Sequence, residues 1–309
     1  MTGFASVPEG FRSGFACFVG RPNAGKSTLT NALIGQKIAI TSSRPQTTRH
    51  AIRGIVHRPD AQLVVVDTPG LHKPRTLLGS RLNDVVRETW AEVDVIGFCV
   101  PADQPVGRGD EFIVNELRSV AHRTPVLGVV TKTDRARPEQ IAERLTQLSA
   151  LMEFAEVVPC SAVKGFQVDV LADLLVARLP EGPPLYPDGE LTDEPEETLV
   201  AELIREAALE GVRDELPHSI AVVIEEMAPR EGRHPKAEPM LNIMANIYVE
   251  RSSQKGIVIG KGGERLRQVG GDSRRQIEAL LGTKVFLDLH VKIAKDWQRD
   301  PRQLRKLGF

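Results

Sequence analysis

The eight residues from Gly20 to Ser27, GRPNAGKS, fit the pattern G-x-x-x-x-G-K-[S/T]. Glycines let a chain bend until several backbone N–H groups face one anion. A helix that starts directly afterwards adds about half a positive charge at the same point. That chemistry is a cradle for the phosphates of a purine nucleoside triphosphate, formed here by Gly20, Asn23, Ala24, Gly25 and Thr28. Lys26 is placed to reach the β- and γ-phosphates, and the Ser27 hydroxyl to ligate Mg²⁺. The plainer alternative, a glycine-rich turn with no ligand, is opposed by the apolar strand before it and the helical pattern after it.

Three more clusters extend this chemistry. Asp67-Thr68-Pro69-Gly70 follows the apolar run Leu63–Val66. An acid at the end of a buried strand can hold Mg²⁺ through water, while the Gly70 N–H meets the γ-phosphate. A turn that feels the γ-phosphate acts as a switch. Thr131-Lys132-Thr133-Asp134 follows Val126–Val130. The Asp134 carboxylate can accept from both N–H donors of a guanine edge, which adenine does not offer, so the wrong base is left unpaired. Cys160-Ser161-Ala162 follows a further apolar run, and a backbone N–H there can meet the guanine oxygen. These elements narrow the ligand to GTP or GDP. Many such enzymes orient the attacking water with a Gln directly after the acid-x-x-Gly turn. Leu71 stands there instead, so slow intrinsic hydrolysis is expected.

The elements that must position these residues are legible as apolar runs at Phe15–Val19, Leu63–Val66, Val95–Val100, Val126–Val130 and Val157–Pro159. Helical patterns lie between them at Ser27–Ile34, Leu77–Glu92, Asp110–His122, Pro138–Glu153 and Gln167–Leu179. Short apolar strands alternating with helices imply an α/β domain with a mostly parallel sheet covered on both faces. Residues 1–180 are assigned to it. Pro180–Pro195 carries five prolines, and from Glu181 to Glu197 there are seven acids and no Lys or Arg, so 181–197 reads as an acidic linker.

Residues 198–309 change pattern: a helix at Thr198–Leu216, strands at Ser219–Ala228 and Met240–Glu250, and a short apolar turn, Gly256–Ile259. A glycine loop, a helix at Glu264–Leu281 and a strand at Lys284–Ile293 complete it. From Arg251 to Phe309 there are fourteen Lys and Arg against six Asp and Glu, although the whole chain has a net charge of −1. That segregation suggests an anionic partner for this half, a solvated helical face being the bland alternative. The chain is 309 residues long, 41% hydrophobic and 26% charged, the composition of an ordinary soluble globular protein. It contains no run of 18 apolar residues and no basic-then-apolar leader, so a cytoplasmic location is expected. Cys17, Cys99 and Cys160 lie far apart and read as buried reduced thiols.

Gly260-Lys261-Gly262-Gly263, joining two helices within an α-β-β-α-α-β order, resembles the G-x-x-G loop of a type II KH domain. In such a loop glycine lets main-chain N–H groups approach the phosphates of single-stranded RNA closely. Ile259, Lys255, Lys261 and Arg265 join the candidate RNA-binding set, with Arg267, Arg274 and Arg275 as further sources of salt-dependent affinity. Ile257, Val258 and Ile259 suit a floor under bases or, alternatively, core packing. GRPNAGKS, Gln46-Thr47-Thr48-Arg49-His50, DTPG, TKTD and SAxxG resemble in order and spacing the five signatures of translation-factor-related GTPases. With VIGKGG, Glu215-Leu216-Pro217 and the terminal Arg305-Lys306-Leu307-Gly308, the whole chain from Gly14 onward resembles the Era GTPases. These are bacterial ribosome-assembly factors with one GTPase domain followed by a KH domain.

The resemblance implies binding near the 3′ end of 16S ribosomal RNA and a GTP-dependent role in maturing the 30S subunit, with the protein acting as a monomer. It also implies that Thr48 completes the Mg²⁺ shell, Thr47 being the alternative, and that Asn23 helps bind K⁺, a loop-stabilising role being the alternative. The family's guanine element is usually Asn-Lys-x-Asp. Here Thr131 replaces the Asn, losing the amide that would contact the base and brace the phosphate loop, so weaker affinity is expected. Two rival readings remain: a P-loop ATPase or kinase, and a GTPase whose C-terminal domain binds protein or membrane.

Overall fold

The computed structural model describes residues 8–41, 48–71, 74, 76–120, 123–210, 212, 219–230 and 240–309. Thr47, Glu215, Leu216 and Pro217 lie outside them. The chain divides into two compact units, one comprising Met1–Ala39, Thr48–Lys73 and Leu82–Asp193, the other Ile40–Thr47, Pro74–Arg81 and Glu194–Phe309.

The first unit contains strands β1 (Arg12–Val19), β2 (Ile52–His57), β3 (Ala61–Asp67), β4 (Val95–Pro101), β5 (Val126–Thr131) and β6 (Glu156–Pro159). Its sheet order is β2-β3-β1-β4-β5-β6. All neighbours are parallel except β2, which runs antiparallel to β3 with Ile52 opposite Asp67 and His57 opposite Gln62. Every residue of β3, β4 and β5 is buried, which is why these strands read as continuous apolar runs rather than alternating ones. Helices α1 (Lys26–Ile34), α2 (Leu77–Glu92, of which Leu82 onward belongs to this unit), α3 (Arg108–Val120), α4 (Pro138–Ser149) and α5 (Val168–Val176) connect them. One face of the sheet packs Phe18, Leu63, Val65 and Leu127 with Leu29, Leu171 and Leu175. The other packs Val66, Phe98 and Val130 with Val86, Trp90, Ile113 and Leu148. Each such fully buried side chain contributes about 1.5–3 kcal/mol relative to exposure, enough in sum to hold the strand ends where the site residues sit.

β2 has no counterpart among the apolar runs of the sequence, because Arg53 and Gly54 break its pattern. The acidic, proline-rich stretch is fastened to the first unit. Ile55 N–H donates to Leu191 O at 2.9 Å, and Gly182 N–H to Phe11 O at 3.0 Å. The buried Gln62 carboxamide accepts from Leu185 N–H (2.6 Å) and Tyr186 N–H (2.8 Å) and donates to Tyr186 O (2.8 Å). Residues 181–193 therefore form a strap that passes the start of β1 and Gln62 of β3 and then reaches the edge strand β2.

The second unit has the order α6 (Glu196–Leu209), β7 (Ala221–Arg230), β8 (Met240–Val249), α7 (Ser252–Ile259), α8 (Glu264–Leu281), β9 (Lys284–Ile293) and α9 (Pro301–Lys306). Its sheet runs β7-β8-β9, antiparallel then parallel. The core gathers Leu203, Ile204, Ile243, Ile247, Val258, Val269 and Ile277. The segment read as a short turn, Gly256–Ile259, is the second half of helix α7. The Gln254 side chain satisfies the N–H groups of Glu250 (2.9 Å) and Arg251 (3.0 Å) at its start, which offsets the cost of Gly256 in its interior. Among the described residues no helix is long and apolar enough to cross a membrane. Cys17, Cys99 and Cys160 are all buried free thiols. Burial pushes Cys99 up to about 12 and Cys160 up to about 11.

Candidate functional site

The phosphate loop runs from the end of β1 to the start of α1. Gly20 has no room for a side chain, since a Cβ would lie 2.5 Å from Cys99 O. Gly25 at φ 93° opens α1 from the left-handed region that disfavours other residues. Asn23 also has a positive φ, 63°, and its carbonyl accepts from Lys132 Nζ at 2.6 Å. Lys26 is 8% exposed. Its ammonium donates to Gly20 O at 3.2 Å and Arg21 O at 3.3 Å. Burial lowers its pKa below the ordinary 10.5, with Asp67 opposing that shift. A desolvated ammonium folded over the loop and next to a row of backbone N–H groups is a ready anion receptor.

Three of the residues assigned to Mg²⁺ come together. Ser27 Oγ lies 2.8 Å from Asp67 Oδ2, Thr48 Oγ1 lies 3.1 Å from the same oxygen, and the two hydroxyls are 3.1 Å apart. An all-oxygen set with a single carboxylate suits Mg²⁺, which keeps several of its waters and uses one or two carboxylates with phosphate oxygens. Gly70 sits beside this cluster, its Cβ position 3.5 Å from Lys26 Nζ. Leu71 is buried in the core with Val19 and Val66.

The base side is a small pocket lined by Thr28, Leu29, Thr131, Lys132, Asp134 and Ala162 among others. Asp134 is exposed, and Ser161 Oγ donates to its Oδ1 at 2.6 Å. Ser161 N–H is already given to Phe166 O at 3.0 Å, which leaves Ala162 as the N–H of this segment able to meet a guanine oxygen. Ser161 and Asp134 lie just past the ends of β6 and β5, and the parallel pairing of these strands brings them side by side. Thr131 corrects one expectation. Its Oγ1 donates to Ala24 O at 2.5 Å, so the threonine keeps the brace on the phosphate loop that its lack of an amide was expected to remove. A further tie was not foreseen: Arg21 Nε donates to the fully buried Asp110 at 2.8 Å, fixing the loop to the start of α3.

In the second unit, Gly260, Gly262 and Gly263 have φ of 74°, 60° and 78°. A Cβ on Gly260 would meet Arg265 Cβ at 2.7 Å, whereas at Gly262 it would meet open space. Lys261 and Gly262 are exposed, and Lys255 is half-buried. The loop shape is held by Arg267, which donates to Gly262 O at 2.6 Å. Ile259 packs against the core, Val258 lies inside it, and Ile257 is 52% exposed. Arg265, one of the candidate RNA-binding residues, is also engaged within the domain. Its guanidinium donates to Ala208 O (3.2 Å) and Glu210 O (2.5 Å), occupying the carbonyls at the C-terminus of α6, where a cation is favoured.

A family model described as "50S ribosome-binding GTPase" matches residues 15–132, and one described as "KH domain" matches 215–298. The chain is 69% identical over 303 residues to GTPase Era of Streptomyces coelicolor, covering 96% of this chain and 95% of that protein. With GTPase Era of Mycolicibacterium smegmatis it shares 66% over 300 residues, covering 97% and 99%. A crystal structure of a point variant of Aquifex aeolicus Era bound to GDP·AlF₄⁻ superposes with a TM-score of 0.90 at 36% identity, covering 96% of this chain and 99% of that one. A structure of Era with MgGDPNP and nucleotides 1506–1542 of 16S ribosomal RNA gives 0.90 at 37%, with the same coverage. With the phosphate loop, the guanine pocket and the glycine loop in place along one chain, this protein belongs to the Era GTPase family.

Proposed function

We propose that this chain is a cytoplasmic GTP-hydrolysing switch that binds 16S ribosomal RNA near its 3′ end and assists maturation of the 30S subunit. The observation that carries the nucleotide half is the meeting of Ser27, Thr48 and Asp67 within 3.1 Å beside Lys26. Phosphate oxygens are bound by the loop N–H groups and the Lys26 ammonium, while Ser27, Thr48 and Asp67 hold Mg²⁺. When bound, Mg²⁺ neutralises charge developing on the β- and γ-phosphates. Asp134, with Lys132 alongside and Thr131 behind the loop, reads guanine, and Ala162 meets its oxygen. Gly70 senses the γ-phosphate, so that the Asp67–Gly70 turn acts as a switch upon hydrolysis.

With Leu71 buried, no side chain at that position orients the attacking water, so turnover is slow. K⁺ held by Asn23 would supply the positive charge that an arginine finger gives elsewhere. Likeness to the Era bound to MgGDPNP and 16S ribosomal RNA supplies the partner. The chemistry of the Gly260–Gly263 loop, with Ile259, Lys261 and Lys255 around it, supplies the means: close main-chain approach to single-stranded RNA phosphates. The test is RNA binding by wild type and by a Gly262→Asp/Gly263→Asp variant, each with GDPNP and with GDP. Two added carboxylates at the loop are expected to abolish measurable binding, and equal binding by both proteins would refute the reading. Competition of ATP against GTP decides the nucleotide: ATP competing as well as GTP would restore the ATPase alternative.

A further inference from the structure

We infer that this site reads guanine without a hydrogen bond to the N7 atom of the base, and that Thr131 is the residue that sets this specificity. The inference rests on the guanine-nucleotide reading given above and concerns how that pocket discriminates. Thr131 stands at the C-terminal end of β5, 4% exposed, between the phosphate loop and the pocket that Lys132, Asp134 and Ala162 line. A threonine hydroxyl carries one proton. Here that proton is spent, because Oγ1 donates to Ala24 O at 2.5 Å. The neighbouring Lys132 ammonium is likewise drawn to the loop, donating to Asn23 O at 2.6 Å.

Guanine N7 is an acceptor only. It gains from a donor and nothing from the lone pairs that remain on a hydroxyl oxygen. The asparagine usual at this position has two amide protons, enough to brace the loop with one and meet the base with the other. The threonine has kept the brace and given up the second contact. Loop integrity and N7 recognition, which one amide serves together, are thereby separated: the loop is held by Thr131, and the base is read by Asp134, with Lys132 alongside, and by the 161–162 segment. Gly25 lies close by: a Cβ added there would be 3.6 Å from Thr131 Oγ1, an ordinary contact distance.

The experiment compares equilibrium dissociation constants of GDP and 7-deaza-GDP, in which a C–H replaces N7, for the full-length chain and for Thr131→Asn and Thr131→Val. Wild type is expected to bind the two nucleotides within about twofold of each other. Thr131→Asn restores a second donor and is expected to prefer GDP by about fivefold to tenfold, the worth of one neutral hydrogen bond. Thr131→Val removes the brace and is expected to weaken both nucleotides by the same factor. A wild type that prefers GDP over the 7-deaza analogue by about fivefold or more would overturn the inference, as would a Thr131→Asn variant with no preference. ATP bound as tightly as GDP would overturn the guanine reading beneath it, a result distinguishable from either of those.

Discussion

Replacing Ser161 by Ala tests the claim that an exposed carboxylate can select a base only if something holds it still. Asp134 is exposed, and its side chain is oriented by the 2.6 Å hydrogen bond from Ser161 Oγ. A hydrogen bond to a charged group contributes about 1.5–3 kcal/mol. Solvent around Asp134 reduces this, and holding one freed side chain on binding costs about 0.5–1.5 kcal/mol. The expected loss in GDP affinity is about 1–1.4 kcal/mol, or roughly fivefold to tenfold. Ser161 Oγ also accepts from Lys164 N–H at 3.2 Å, so the variant loses some folding stability too. A double-mutant cycle separates the two effects. With Asp134→Ala as the second substitution, fluorescence titration of a labelled GDP gives four dissociation constants. Coupling requires that Ser161→Ala have little further effect once Asp134 is gone. Additive losses, or a Ser161→Ala affinity within about twofold of wild type with a lowered melting temperature, would show that Ser161 serves the fold and not the base.

Other outcomes follow from the same geometry. Lys26→Met is expected to abolish nucleotide binding while raising the nucleotide-free melting temperature by about 2–4 °C, because it removes a buried ammonium worth about 1 kcal/mol. Since burial lowers the folded-state pKa of Lys26 below the ordinary 10.5, wild-type stability gains as pH rises through the window between those values. Lys26→Met loses that gain, and melts across pH check it. Lys261→Ala is expected to weaken single-stranded RNA binding and reduce the slope of log K against log salt by about 0.7. Arg265→Ala, by contrast, lowers stability by about 1–2 kcal/mol and leaves that slope unchanged. GTP turnover is expected to be faster in K⁺ than in Na⁺, and equal rates would remove Asn23 from the mechanism.

Much of this was legible because it depends on local rules. A buried parallel strand must be apolar throughout, and Val95–Val100 and Val126–Val130 announced themselves accordingly, each one residue shorter than the observed strand. Helix Leu77–Glu92 and strand Lys284–Ile293 coincide with the pattern. Contacts that depend on pairing across the chain were not legible. β2 exists because β3 offers it a ladder, not because Ile52–His57 carries a strong pattern of its own. Gln62 looks like an ordinary polar residue in sequence, yet it is 1% exposed and fastened to Leu185 and Tyr186. Arg265, counted with the basic residues of the second half, serves α6 because helix α8 turns it toward Ala208. Thr131 is instructive in a further way: its identity suggested a lost brace, and only its hydroxyl's direction showed which half of the asparagine's work had been retained.

The strap of residues 181–193 has a consequence for solubility. β2 ends the order of the sheet, and a strand in that place presents backbone donors and acceptors on which a strand from another molecule can settle. The strap occupies that rim first: Leu191 O takes the Ile55 N–H, and Glu190 O lies 2.6 Å from His57 Nε2. The strap itself makes a poor template, since Asp188 and Glu190 repel their counterparts on a second copy. What reads in sequence as a mere spacer is thus a selvage that keeps the sheet from being extended by its neighbours.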